Sequence, residues 1–234
     1  MDNINILVVD DDKEIATAIE KLLIIEGFNV EKAYNGLEAM EALVNKSIHL
    51  IIMDIMMPKL DGLSATMRIR EKKNIPIIIL SAKSEDSDKV LGLSMGADDY
   101  ITKPFNPNEL VARVKSHIRR YTKLGDMNNN NNSTQLQNGS LTLDKEARSL
   151  YVDGGLIKLT PTEYGIIDLL MTNPGIVFSA EQIYEKVWEE PAYSVENTVM
   201  VHIRRIREKI EINPKEPKYL KVVWGVGYKI EKFK

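Results

Sequence analysis

The sequence predicts two domains: a doubly wound α/β domain with a five-stranded parallel sheet, then a small α+β domain carrying a winged helix-turn-helix order. Three observations carry that prediction. Across residues 1–121, short apolar runs alternate with amphipathic stretches five times over. Residues 125–140 are almost devoid of apolar side chains. Beyond them come β-like pieces, three helical stretches and a closing hairpin pattern. Repeated strand–helix alternation implies a parallel sheet between two helical layers. A chain of 234 residues suits two modest cores better than one large one.

In the first domain ILVVD (6–10), FNVEKA (28–33), HLIIMD (49–54), PIIIL (76–80) and ADDYI (97–101) read as strands. KEIATAIEKLLIIEG, GLEAMEALVNKS, SATMRIREKK, DSDKVLGLSMG and NPNELVARVKSHIRRY carry the helical period. The last of these opens on Asn106, Pro107 and Glu109, which suit the Ncap, N1 and N3 positions. GDMNNNNNSTQLQNGS, with five consecutive asparagines, cannot supply a core and reads as a flexible linker. The predicted divisions are 1–121, a linker over 122–137, and 138–234.

After the linker SLTLD, SLYVDG and GLIKL read as short β pieces. LTPTEYGIIDLLMTNPG opens a helix with a capping box, Thr160 and Glu163 around Pro161 at N1. SAEQIYEKVWEE opens with another, Ser179 to Gln182. VENTVMVHIRRIREKIE is a third, longer helix, and YLKVVWGVGYKIEKF reads as two strands around Gly225 and Gly227.

Composition narrows the functions. With no cysteine there is neither a disulfide framework nor a thiolate zinc site. No apolar run approaches the roughly 20 residues that span a bilayer, and MDNINILVVDDD lacks a basic n-region. The expectation is a cytoplasmic protein with no membrane partner. The net charge of -3 conceals an asymmetry. From Asn197 to Lys234 there are 10 Lys and Arg against 4 Asp and Glu, a basic end that suits an anionic partner.

The stretch LIIMDIMMPKLDG (50–62) ends a strand on Asp54, and burying an unpaired carboxylate is costly. In parallel α/β sheets, sites form at the carboxyl ends of strands. The first strand ends in Asp10-Asp11-Asp12, the fourth at Ser81, and Lys103-Pro104 follows the fifth. Adjacent first and third strands would bring these carboxylates together, and hard oxygen ligands select Mg²⁺, or Mn²⁺. Lys103 and Ser81 suit phosphate oxygens. Asp54 can then attack phosphorus to give an acyl phosphate. Each feature also has a plainer reading: Asp11 or Asp12 as a helix cap, Asp54 as a turn residue, Lys103-Pro104 as a loop.

At 100° per residue along 195–211, Val199, Ile203, Ile206 and Ile210 form one apolar stripe. The opposite face carries Asn197, Thr198, Val201, Arg204 and Arg205, with His202 and Arg207 on the flanks. Arginines around a small apolar residue suit a major groove, where His202, Arg204 and Arg207 would serve equally as phosphate contacts. A merely solvated face is the competing reading.

VVDDD, MDIMMPKLDG, LSAK, GADDYITKPF and NTVMVHIRRIREKI…WGVGYKI together resemble a two-component response regulator of the OmpR/PhoB type, over essentially the whole chain. The first domain is then similar to a CheY-like receiver and the second to a winged helix. The resemblance implies that Asp54 is the phospho-acceptor. Asp10, Asp11, Asp54 and the carbonyl of Met56 would hold Mg²⁺. Ser81, Tyr100 and Lys103 would be the switch residues, with Tyr100 turning inward on activation and a cis Lys103-Pro104 bond. It further implies a cognate histidine kinase, a homodimer on phosphorylation, promoter DNA with repeated half-sites, and RNA polymerase as a further partner. Dimer pairs would be Lys89–Glu109, Asp99–Arg113 and Asp98–Arg120. Where similar proteins often carry arginine in the wing, this chain has Trp224. WGVGYKI with GADDYITKPF is similar to the VanR-like branch. Two rival classes are a Mg²⁺-dependent phosphohydrolase, which lacks a carboxylate where Met56 stands, and a protein-only adaptor, which salt dependence of DNA binding would distinguish.

Overall fold

The computed structural model describes residues 4–83, 85–123, 135–192 and 195–233. The five apolar runs of the first unit become β1 (Asn5–Val9), β2 (Asn29–Ala33), β3 (Leu50–Met53), β4 (Ile77–Ser81) and β5 (Asp99–Thr102). All pair in parallel, in the order β2-β1-β3-β4-β5. β1 and β3 are therefore neighbours, which places the ends of both at one edge.

Strand period two divides the core between the sheet's faces. Ile6, Val8, Leu50, Ile52, Ile78 and Leu80 face α1 (Lys13–Ile25) and α5 (Pro107–Lys123). Leu7, Val9, Ile51, Met53 and Ile77 face α2 (Gly36–Asn45) and α3 (Gly62–Lys72). Helix α4 (Asp86–Ser94) lies between β4 and β5 in the chain, with Leu93 fully buried. Local signals set the starts: Asp12 caps α1, Asn35 caps α2 and Asp61 caps α3 through side-chain bonds to backbone N–H groups. The Asn106 side chain accepts from the Asn108 N–H at 2.9 Å, as its Ncap assignment requires.

The second unit begins with an antiparallel sheet of β6 (Gln135–Asn138), β7 (Leu141–Asp144), β8 (Ser149–Val152) and β9 (Gly155–Ile157). It continues with α6 (Pro161–Thr172), α7 (Ala180–Trp188) and α8 (Glu196–Ile210), then the hairpin β10 (Leu220–Val223) and β11 (Gly227–Ile230). Both predicted capping boxes are present. β6 corrects the sequence reading, which assigned residues 135–137 to the linker. QLQN has little apolar content, but its backbone pairs with β7 across Gln135–Asp144 to Asn138–Leu141. Asn138 adds side-chain bonds to the Glu231 carbonyl and the Phe233 N–H. Helix α5 likewise runs two residues past the predicted boundary, to Lys123. The rest of the predicted linker lies outside the described residues.

Candidate phosphorylation site and DNA-reading helix

Asp10 and Asp54 follow β1 and β3 directly, and both are buried, at 2% and 5% exposure. One cation joins them: the Lys103 ammonium lies 2.6 Å from Asp10 Oδ2 and 2.7 Å from Asp54 Oδ1. The second oxygen of each carboxylate accepts a backbone N–H, from Asp12 at 3.0 Å and from Met56 at 2.6 Å. The loop after Asp54 folds tightly back on it. A Cβ at Gly62 would come within 1.9 Å of the Asp54 carbonyl oxygen, so only glycine fits there. Lys103 follows β5 directly, and the Lys103-Pro104 bond is cis.

Electrostatics follow from burial and that shared cation. Burial pushes the Asp10 carboxyl up, which the hydrogen bond and charge of Lys103 only partly offset. Burial alone would lower the Lys103 ammonium, but hydrogen bonds to Asp10 and Asp54 outweigh it and raise its pKa. Two carboxylates converging on one cation position suit a hard divalent ion that completes its shell with water and phosphoryl oxygen. Among the described residues no three acidic, His or Cys side chains form a metal cluster by themselves. Asp11 is exposed, and Asp12 caps α1 through bonds to the Glu14 and Ile15 N–H groups.

Ser81 is fully buried at the end of β4, its Oγ accepting from the Lys83 N–H at 3.3 Å. Tyr100 lies inward, 8% exposed, with its hydroxyl donating to the Lys83 carbonyl at 2.8 Å. Burial raises its phenol pKa.

Of the charges expected on a dimer face, two acids are already matched within the chain. Asp98 is wholly buried on Arg70 and the Ile77 N–H. Asp99 is buried on Arg113, at 2.9 Å, and on His117. The reading of Asp98 as a surface charge is thus corrected, because Arg70 of α3 pairs with it within the chain. Arg113 also bonds Glu109, and Arg120 bonds the His117 ring. Lys89 pairs with Asp86 and keeps 37% of its side chain exposed. The sequence reading missed Arg70 and His117, since no local pattern marks a partner on another element.

Helix α8 buries its predicted stripe of Val199, Ile203, Ile206 and Ile210. Three residues assigned to its outer face or flanks are buried too. Val201 is 3% exposed, His202 is 0% exposed with its ring against Trp188, and Arg205 is 8% exposed. Arg205 lies 3.0 Å from Glu163, the capping-box acid of α6, which Lys209 also contacts at 2.6 Å. Burial alone would raise the Glu163 carboxyl, but these two charges hold it below its ordinary value. Arg207 is half-buried and donates to the Leu220 carbonyl of β10 at 2.9 Å, tying the hairpin to the helix. Asn197 and Thr198 are partly exposed, Arg204 is exposed beside Glu208, and Trp224 at the hairpin tip is 88% exposed.

Two family models match the chain: a response regulator receiver domain over residues 6–115, and the C-terminal domain of transcriptional regulatory proteins over 154–230. The chain belongs to the OmpR/PhoB-type response regulators. This regulator is 44% identical over 228 residues to the regulatory protein VanR of Enterococcus faecium, covering 97% of this chain and 98% of that one. It is 42% identical over 227 residues to the transcriptional regulatory protein YcbL of Bacillus subtilis, covering 97% and 100%. A solved RitR mutant matches with a TM-score of 0.76 at 25% identity, over 98% of this chain and 100% of that one. The regulator is accordingly a phosphorylation-dependent DNA-binding transcription regulator of a two-component system. Receivers of this family bind a divalent metal at the phosphorylation site. No helix among the described residues is long and apolar enough to cross a membrane.

Proposed function

We propose that Asp54 takes the phosphoryl group from the phosphohistidine of a sensor kinase. The observation that carries this reading is the single ammonium shared by Asp10 and Asp54 at the carboxyl edge of the sheet. An Asp54 oxygen attacks phosphorus, the P–N bond breaks, and the imidazole keeps the electron pair. Asp10, Asp11, Asp54 and the Met56 carbonyl would hold Mg²⁺, or Mn²⁺, which neutralises charge on the transferred group when bound. Lys103 then moves from carboxylate to phosphoryl oxygen, and the Ser81 hydroxyl donates to another. Met56 is 63% exposed and leaves no carboxylate for turnover of an external phosphoester, so Asp54 serves as a switch rather than an enzyme's nucleophile.

Phosphorylation would favour a cytoplasmic homodimer that binds repeated half-sites in promoter DNA and meets RNA polymerase there. Lys89 and Glu109 are accessible for pairing between subunits, whereas Asp99 must exchange its own Arg113 for the partner subunit's. Asn197, Thr198, Arg204 and Trp224 are the DNA contacts we assign. Val201, His202, Arg205 and Arg207 hold the reading helix in place.

The test is intact mass after incubation with a small phosphodonor and Mg²⁺, for wild type and Asp54→Asn. One added phosphate on the wild type and none on the variant is expected. Equal phosphate on both would overturn the assignment.

A further inference from the structure

Among the described residues of the second unit, one indole stands almost entirely in water. Trp224 is 88% exposed and Val226, two residues on, is 57% exposed. Gly225 between them sits at φ 72, the left-handed conformation that lets the chain turn and project both side chains from the tip. No ring, cation or hydrogen-bond partner meets Trp224 among the described residues.

The tip is held firmly from below. The Phe178 and Tyr228 backbones bond each other both ways at 2.9 Å, and Arg207 of α8 holds the base of β10. A Cβ at Gly227 would come within 2.0 Å of the Phe178 carbonyl oxygen, so the hairpin seats flush on the segment before α7. An exposed tryptophan on a fixed support is preorganised to meet a partner. Cations stand below it on the same hairpin, within the basic C-terminal end: Lys221 faces Lys229, which also pairs with Glu231 at 3.1 Å. Apolar tip, cations below it and continuity with α8 fit duplex DNA.

We infer that Trp224, with Val226 beside it, is an apolar wedge that stacks on base or sugar faces of the bound duplex, not a phosphate contact. The inference rests on the DNA-binding reading of α8 given above. Indole carries a single N–H donor and no charge, so it releases no counterion; its contribution comes from stacking and apolar burial. Apolar wedges of this kind unstack and bend DNA.

The chain's two tryptophans make the test direct. Trp188 is fully buried and stacked on Tyr184, so the water-exposed emission belongs to Trp224. The full-length phosphorylated protein first selects a duplex from a randomised pool; recovery of none would instead overturn the DNA-binding reading. On the selected duplex, Trp224 emission should shift to the blue and be quenched. Trp224→Ala should lose about tenfold in affinity, the weight of one base–aromatic stack, with the slope against log salt unchanged. Trp224→Phe should recover part of the loss, and Trp224→Arg should steepen the slope by about 0.9. Unaltered Trp224 emission at saturation, or a shallower salt slope in Trp224→Ala, would overturn the wedge. So would an emission shift on phosphorylation alone, which would assign the indole to a protein contact.

Discussion

Arg205 shows how a single side chain's role turns on its partner. A guanidinium against a fully buried Glu163 is a support of the fold before it is anything else. Removing one partner of a buried pair leaves an uncompensated charge, at a cost of about 3–5 kcal/mol. Because Lys209 also reaches Glu163, Arg205→Ala should fall near the lower end, about 3 kcal/mol, in denaturant unfolding followed by Trp188 emission. Loss of sequence discrimination at unchanged stability would contradict this. The sign of the pH effect follows from the same pair. Glu163 is held below the ordinary glutamate range, so its stabilisation is present above that range and is lost as pH falls through its folded value. Asp10 runs the other way: burial raises its pKa, so its ionised form strains the fold. Asp10→Asn should raise the receiver's melting temperature by a few degrees in the absence of divalent ions, while abolishing the stabilisation that such ions bring.

At the scale of elements, α5 and β5 share a buried charge cluster that no single element reveals. Asp99 sits on Arg113 and His117, and Arg120 closes on the imidazole from the next turn. Burial would raise the Asp99 carboxyl, but Arg113 and His117 hold it far below the carboxylate range. Arg113→Ala should therefore destabilise the receiver by about 3–5 kcal/mol, not merely weaken a dimer; unchanged thermal unfolding of the monomer would refute it. His117 is pushed below the ordinary imidazole range, first by burial and then by the Arg120 charge. Below about pH 6.5 the unfolded chain takes up a proton that the folded chain does not. Receiver stability should decline on acidification from there, and His117→Asn should flatten that slope in a pH series of unfolding curves.

At the scale of the molecule, the chain is two units, residues 1–121 and 122–234, each with its own core. Unfolding should resolve into two transitions. A divalent cation at a hundred times its Kd should raise the receiver's transition by about 2.7 kcal/mol and leave the other where it is. Calorimetry with and without Mg²⁺ decides this, and an equal rise in both transitions would count against a cation site confined to the receiver.

The sequence by itself determined the alternation of strands and helices, the capped helix starts and the acids at the ends of β1 and β3. These are local properties: side-chain period, cap chemistry and turn residues act over a few positions. It also carried the family's motifs, and with them Asp10, Asp54, Ser81, Tyr100 and Lys103 as a set. Only the tertiary structure decided that Arg205 meets Glu163, that Asp98 pairs with Arg70, that QLQN joins a sheet and that Trp224 stands in water. A helical wheel orders residues around their own axis, but it does not say which faces neighbouring elements will cover. Charge pairing and burial are settled between residues far apart in the chain, by which surfaces the packed cores leave exposed.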